Sequence, residues 1–207
     1  MSSDIAASDQ FGTGVSIDTD TIVVGAKMEA DTRGAAYIFT RSGTSWSQQA
    51  KIVASDGSAG YNFGNTVSIS SDSVIVGSIQ DYDGGANAGS AFVFTRSGTT
   101  WSQQAKIQSS DIAAGDKFGS SVSIEGDTVV VGADREGAGG GNAGAAYVFT
   151  RSGTTWTQAK KLVASDAQAS DLLGFSVDIS SNTVVAGARG EDTGGDGAGA
   201  AYTFIGG

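Results

Sequence analysis

One phrase written four times over constrains this chain more than any single residue does. Its clearest copy runs Phe118-Gly-Ser-Ser-Val-Ser-Ile-Glu-Gly-Asp-Thr-Val-Val-Val-Gly-Ala133 and crosses an acidic glycine-rich stretch. It resumes at Gly144-Ala-Ala-Tyr-Val-Phe-Thr-Arg-Ser-Gly-Thr-Thr-Trp156. The copies begin at Phe11, Phe63, Phe118 and Leu173, a spacing of about 52–55 residues that points to stacked supersecondary units. Each unit must bury its apolar face against its neighbours, so the repeat fixes the architecture before any site is considered.

Within a repeat, four strands are legible. Val15-Ser-Ile17, Val67-Ser-Ile69 and Val122-Ser-Ile124 alternate apolar and small polar residues with the two-residue period of a half-buried strand. Ile22-Val-Val24, Val74-Ile-Val76, Val129-Val-Val131 and Val184-Val-Ala186 are continuous β-branched runs, suited to a strand covered on both faces. The third strand, Tyr37-Ile-Phe39, Phe92-Val-Phe94, Tyr147-Val-Phe149 and Tyr202-Thr-Phe204, sets two aromatics on one side. The fourth starts at Trp46, Trp101 or Trp156 and mixes Trp, Gln and Lys as a partly solvated outer edge does, with lysine discouraging sheet-to-sheet pairing. Short turns such as Glu125-Gly-Asp127, and the Thr-Arg-Ser-Gly-Thr segments, have hairpin composition. The chain therefore reads as all-β, a β-propeller of four tandem repeats (1–53, 54–108, 109–163 and 164–207) in one domain, with four-stranded antiparallel blades. The last repeat reaches Ile205-Gly-Gly207 with no Trp strand, so its blade is expected to lack the outer strand and to offer a bare edge for strand addition. A β-solenoid is the rival reading, but its coils are shorter and parallel.

Composition narrows the chemistry. There is no cysteine, hence no disulfide framework and no thiolate, and no histidine, hence none of the commonest general base. The net charge of −10 removes the basic patch that nucleic acid or an anionic membrane surface requires. No apolar run approaches membrane-spanning length, so membrane insertion is not expected, and the N-terminal residues lack the basic start and apolar core of a signal peptide. Gly139-Gly-Gly141-Asn-Ala-Gly144 matches G-x-G-x-x-G, but a strand rather than a helix follows it, so it reads as a loop. With so thin an acid–base inventory the chain is not expected to be an enzyme, and no catalytic residue is assigned.

In a meander blade, the loops leading into strand one and those joining strands two and three emerge on the same side. They hold most of the chain's 22 acids, so one face should be strongly negative. The opposite side carries Arg41, Arg96 and Arg151. Calcium, which takes several carboxylate and carbonyl oxygens, is the cofactor such loops bring to mind. The candidate ligands are Asp81, Asp83, Asp134, Glu136, Glu191, Asp192 and Asp196, although none of these loops completes the D-x-[DN]-x-[DN]-G pattern. Acids in glycine-rich loops also serve solubility. The three tryptophans, one per blade at the same position, read as inter-blade packing rather than as a sugar-stacking set.

Phe11-Gly12 with Gly25-Ala26, Phe63-Gly64 with Gly77-Ser78, Phe118-Gly119 with Gly132-Ala133, and Leu173-Gly174 with Gly187-Ala188 resemble the FG-GAP repeat of integrin alpha-subunit propellers and of many surface proteins. The resemblance implies an extracellular or cell-surface location and a role in adhesion, ligand binding or assembly. The partner would be a protein or glycan at the acidic face, with the open blade edge available for homo-oligomerisation. A lectin-like propeller with one shallow site per blade is the alternative. Two departures matter: the final Pro of the motif is Lys27, Ile79, Asp134 or Arg189. The position of the family's calcium loops, between strands one and two, also holds only the short turns Asp18-Thr-Asp20, Ser71-Asp72, Glu125-Gly-Asp127 and Ser181-Asn182. That calcium site does not carry over. Four repeats leave open a four-bladed ring, a two-chain eight-bladed ring or a part of a larger array.

Overall fold

The computed structural model describes residues 4–137 and 139–205. Residues 1–3 and 206–207, on which the readings of the chain's start and of its final glycines fall, lie outside the described residues. Fifteen strands form four antiparallel meanders in chain order. The first blade is β1 (Phe11–Asp18), β2 (Thr21–Ala26), β3 (Ala35–Ser42) and β4 (Ser45–Ile52). The second is β5 (Phe63–Ser70), β6 (Ser73–Ser78), β7 (Ser90–Ser97) and β8 (Thr100–Ile107). The third is β9 (Phe118–Glu125), β10 (Thr128–Ala133), β11 (Ala145–Ser152) and β12 (Thr155–Leu162). The fourth has three strands, β13 (Leu173–Ser180), β14 (Thr183–Ala188) and β15 (Ala200–Ile205), as the sequence led one to expect.

The Phe-Gly pair that opens the first three repeats, Leu-Gly in the fourth, makes a β-bulge. In the second blade the ladder between β5 and β6 jumps from Phe63 to Thr66, and the other three blades shift at the same place. Gly64, at φ +90, supplies the left-handed step that an L side chain rarely adopts. The bulge turns Phe63 under its own blade, where its ring meets Phe92 and Phe94 edge-on at 5.5 and 5.9 Å. Phe118 meets Phe149 edge-on at 6.0 Å and Tyr147 at a tilt at 5.7 Å. The aromatic pair of the third strand thus exists to receive the phenylalanine of the first.

The bulge also makes the joint between blades. Its backbone lies against the glycine of the preceding blade's second strand so closely that a methyl added at Gly25, Gly77 or Gly132 would collide with the carbonyl oxygen of Gly64, Gly119 or Gly174. The amide of Phe63 donates to the Arg33 carbonyl at 3.0 Å, and those of Phe118 and Leu173 donate to Ala88 and Ala143 at 2.8 Å. Parallel bridges couple Gly34 to Phe63, Gly89 to Phe118 and Gly144 to Leu173. Apolar clusters fill the space between sheets. Val23, Ile38, Val67 and Ile69 belong to the first joint, Ile75, Val93, Val122 and Ile124 to the second, and Val130, Val148 and Ile179 to the third.

The arc stops after three joints. Strand β1 packs on β5, β5 on β9 and β9 on β13, and no comparable packing joins the fourth blade to the first. A small closed four-bladed ring, one of the arrangements open at the sequence level, is not what the described residues form. The consequence shows in burial. Val67 and Val122 are 8% and 9% exposed, whereas Val15, at the same register in the first blade, is 67% exposed.

The expected outcome of Gly132→Ala follows from this packing. The new methyl group forces the third and fourth blades apart, lowering stability by about 3 kcal/mol, the upper part of the usual overpacking range. Urea unfolding of this variant against Gly141→Ala, a loop position with open space around it and no left-handed backbone, measures the difference.

Candidate functional site

The loops at the acidic end carry an arrangement that repeats with the blades. Lys106, near the end of β8, places Nζ 2.7 Å from Asp56, 2.8 Å from Asp81 and 2.5 Å from Asp83. Asp56 lies in the loop leading into the second blade and Asp81 and Asp83 in the loop after β6, so both loops share one end, as the meander requires. The ammonium also sits 5.4 Å above the Phe92 ring, a cation–π contact. Lys51 repeats the motif with Asp4, Glu29 and the Tyr37 ring. Lys161 repeats it with Asp111, Glu136 and the Tyr147 ring. Burial alone would pull these ammonium groups down. Hydrogen bonds to the carboxylates outweigh it and hold Lys51, Lys106 and Lys161 above the ordinary lysine range. Lys51, Lys106 and Lys161 are therefore not the solvated edge charges that the composition of strand four led one to expect, although Lys160 is exposed. They fold back into the loops and lessen the negative charge of that face.

The calcium candidates divide among three blades. Asp81 and Asp83 come together with Asp56, the one group of three acidic ligands among the described residues whose oxygens lie within 4.8 Å of each other. The Lys106 ammonium is bonded to an oxygen of each member and holds the place a calcium ion would take, so calcium would have to displace it. Glu136 is held by Lys161 at 3.1 Å. Asp134 is buried, and burial raises its carboxyl despite the nearby positive charges of Lys117, Arg135 and Arg189. Glu191 accepts from the Thr193 amide at 2.8 Å, Asp192 accepts from the Gly197 amide at 2.6 Å, and Asp196 is exposed. Glu191 and Asp192 thus pin their own loop.

At the other end, Arg41, Arg96 and Arg151 pair with Asp20, Asp72 and Asp127 of the strand-one to strand-two turns, at 2.5, 2.6 and 2.7 Å. Each guanidinium also lies over the tryptophan of its own hairpin, Trp46, Trp101 or Trp156. The indole N–H of Trp101 donates to Gln49 of the preceding blade at 2.8 Å, and that of Trp156 donates to Gln104 at 2.9 Å. Trp101 and Trp156 are thus inter-blade packing residues, whereas Trp46 is exposed and meets only Arg41 among the described residues; exposed ion pairs of this kind contribute little to stability.

The fourth blade breaks both patterns. Asp166, Glu191 and Tyr202 stand where the other blades hold a lysine between two acids and a ring, but β15 is the outermost strand and no lysine reaches them. Tyr202 Oη instead donates to Asp166 at 2.9 Å. Burial and this bond push the phenol up to about 12. Beside it, a groove of about 250 Å³ opens between the third and fourth blades, walled by Val148, Leu162, Ile179, Val184 and Phe204. The equivalent spaces are taken by Trp101 and Trp156, packed on the apolar clusters of the first two joints. Ala159, on the groove wall, replaces the Gln49 and Gln104 that bond those indoles. The sequence announces this site by an omission: the paired acids occur four times and the lysine three.

Two outcomes test the lysine cage. Millimolar calcium is expected to leave the melting temperature of the native chain unmoved. Lys106→Met, which leaves Asp81 buried beside two other carboxylates, is expected to cost on the order of 3 kcal/mol, and calcium is expected to restore part of that loss. Thermal melts of the two proteins with calcium or chelator decide both points.

Comparison with known proteins agrees with this architecture. The FG-GAP repeat family matches four times, over residues 1–39, 46–94, 101–149 and 156–204. Among curated proteins, none matches the chain in sequence. Among solved structures, that of Sqt1 from Saccharomyces cerevisiae is similar over 90% of this chain and 45% of the other, at 10% identity and a TM-score of 0.54. The chain thus spans less than half the length of that structure, and the likeness bears on the fold. Four in-phase matches, each spanning a Phe-Gly bulge (Leu-Gly in the last) and its strand-two glycine, show that the chain belongs to the FG-GAP repeat family.

Proposed function

We propose that this chain is a non-enzymatic, extracellular protein-binding module of the adhesion or ligand-binding kind, and that the outer edge of its fourth blade receives an extended segment of the partner. The vacant acid–aromatic box carries this reading. Asp166, Glu191 and Tyr202 reproduce a cage that three other blades fill with lysine. An incoming strand would pair with the free side of β15 by main-chain hydrogen bonds. Its lysine would enter the box and a large apolar side chain five residues earlier would enter the groove, as Trp101 and Lys106 do within the second blade. In β8 the register shift opposite Val93 and Phe94 takes up one residue, so Trp101 and Lys106 stand opposite Arg96 and Phe92 on one face of the blade. The incoming strand needs the same bulge to offer both side chains to the groove and the box, whose Phe204 and Tyr202 also share a face. Because Ala159 offers no acceptor, the groove suits Leu or Phe as well as an indole.

Family membership supports a binding role, since repeats of this type form propellers that engage proteins. The tryptophans give no opening for a sugar, because each is committed to a guanidinium and two are also bonded across a joint.

A peptide copying residues 99–108 of this chain, titrated against the protein by calorimetry, tests the reading. Binding is expected, with about a tenfold loss or more when the peptide carries Lys106→Ala or the protein carries Asp166→Asn. The peptide with Trp101→Leu should bind as well as the parent. Binding indifferent to the lysine, or none, would contradict the proposal.

A further inference from the structure

We propose that the two ends of the arc are complementary halves of one joint, and that a second copy of this chain closes it, two four-bladed arcs making an eight-bladed ring. The surfaces concerned are the end faces of the first and fourth blades, and the inference stands independently of the outer edge discussed above.

The two ends correspond position by position. The first blade presents everything that the second, third and fourth insert into their predecessors. Phe11-Gly12 repeats the bulge, with Gly12 at φ +99. A methyl at Gly12 would meet nothing within 4 Å, whereas at Gly64, Gly119 and Gly174 it would strike the carbonyls of Ala35, Ser90 and Ala145. Ile17 is 63% exposed, against 6% and 5% for Ile69 and Ile124. It carries the same side chain at the same register, and no other blade of the described residues packs on it.

The fourth blade presents the matching socket. Gly187 stands where Gly25, Gly77 and Gly132 receive a carbonyl oxygen, yet around it only Ser176 of its own blade approaches. A hollow lined by Ser176, Gly187, Gly199 and Ala201 marks the vacancy. Val185 is 39% exposed, although its counterparts Val23, Ile75 and Val130 are fully buried.

Polar groups continue the same register. The hydroxyls of Thr66 and Ser121 donate to the carbonyls of Gly119 and Gly174 in the next blade, at 2.8 and 2.7 Å. Ser176 occupies that position in the fourth blade, facing the place of Gly12 of a second copy. Asp18, Ser70 and Glu125 each accept from a turn amide of the next blade, those of Ser71, Gly126 and Ser181, at 2.6, 3.2 and 2.7 Å. Ser180 ends the fourth blade's first strand as the corresponding acceptor, and Thr19 would bring the amide. The carbonyl of Ala198 stands where those of Arg33, Ala88 and Ala143 accept the amide of the next bulge, and Phe11 supplies that amide.

A second copy is the occupant these features select, because the chain's own first blade repeats, residue for residue, the surface that fills the other three sockets. Two copies form the simplest closed symmetry, in which each contributes one plug and one socket. The end blades of the arc do not pack on each other, the bend expected of part of a ring of more than four blades, and the arc matches part of a solved chain of about twice its length. One departure gives the joint its own character: Thr203 replaces the Ile38, Val93 and Val148 of the other sockets, which makes this face less apolar while free.

Size-exclusion chromatography with light scattering on the full chain is the test. Twice the 20.6 kDa of one chain is expected. Ile17→Asp at one end and Gly187→Ala at the other are each expected to weaken association roughly 100-fold or more with circular dichroism unchanged. Val185→Asp replaces Gly187→Ala should the latter fold poorly. Mixing the two variants is the decisive arm: one intact plug and one intact socket remain, so a one-to-one heterodimer is expected. A native chain that stays monomeric at its highest soluble concentration would overturn the proposal. So would an assembly of three or more copies, a dimer indifferent to both substitutions, or a mixture that does not pair.

Discussion

Backbone laid on backbone is the constraint from which the rest of this structure follows. Side chains can adapt to a few tenths of an ångström, but the carbonyls of Gly64, Gly119 and Gly174 rest on glycines at which no Cβ would fit. That contact fixes the distance between neighbouring sheets. The amide bonds of Phe63, Phe118 and Leu173 fix their offset along the strands. Once spacing and offset are set, the apolar residues of facing strands have only one partner set to meet, and interiors this dense punish any change of volume. The Phe-Gly bulge therefore joins two levels of organisation: its phenylalanine closes a blade and its glycine attaches that blade to the one before.

Much of this was legible in the sequence because repetition reports the same environment several times. The continuous runs Ile22–Val24 and Val129–Val131 foretell a strand covered on both faces, and β6 and most of β10 are buried as such runs imply. The two-residue turns that end β1 and β9 were evident from Thr19-Asp20 and Gly126-Asp127. Closure was not legible. Whether four blades complete a circle depends on the angle between sheets, which side-chain volumes and bulge geometry set and which residue types do not reveal. Val15 and Val67 are the same residue in the same phrase, yet one is mostly exposed and the other buried.

The lysine cages show a different limit. Composition alone makes Lys51, Lys106 and Lys161 look like edge charges, and it makes the loop acids look like calcium ligands or solubilising groups. The pairing was hidden because its members are far apart in sequence: Lys106 joins Asp56, fifty residues away. The usable signal was the common recurrence of the paired acids, at Asp4, Asp56, Asp111 and Asp166 and at Glu29, Asp81, Glu136 and Glu191, against three lysines. A cation of the protein's own thus stands where a metal was expected. The fourth blade, with the acids but not the lysine, becomes the chemically incomplete member of the set. Repeat proteins commonly place recognition where the repetition is interrupted, because only there are groups left that the array does not already use.

The central claim is that each joint is held by the bulge amide and by the glycine contact beneath it. Amide hydrogen exchange, resolved by residue, tests it most directly. In the monomeric Ile17→Asp variant, the amides of Phe63, Phe118 and Leu173 are expected to exchange only through global unfolding. The amide of Phe11, with no blade before it, is expected to exchange orders of magnitude faster. Uniform protection at all four positions, or exchange of the three inner amides as fast as that of loop residues, would contradict the account.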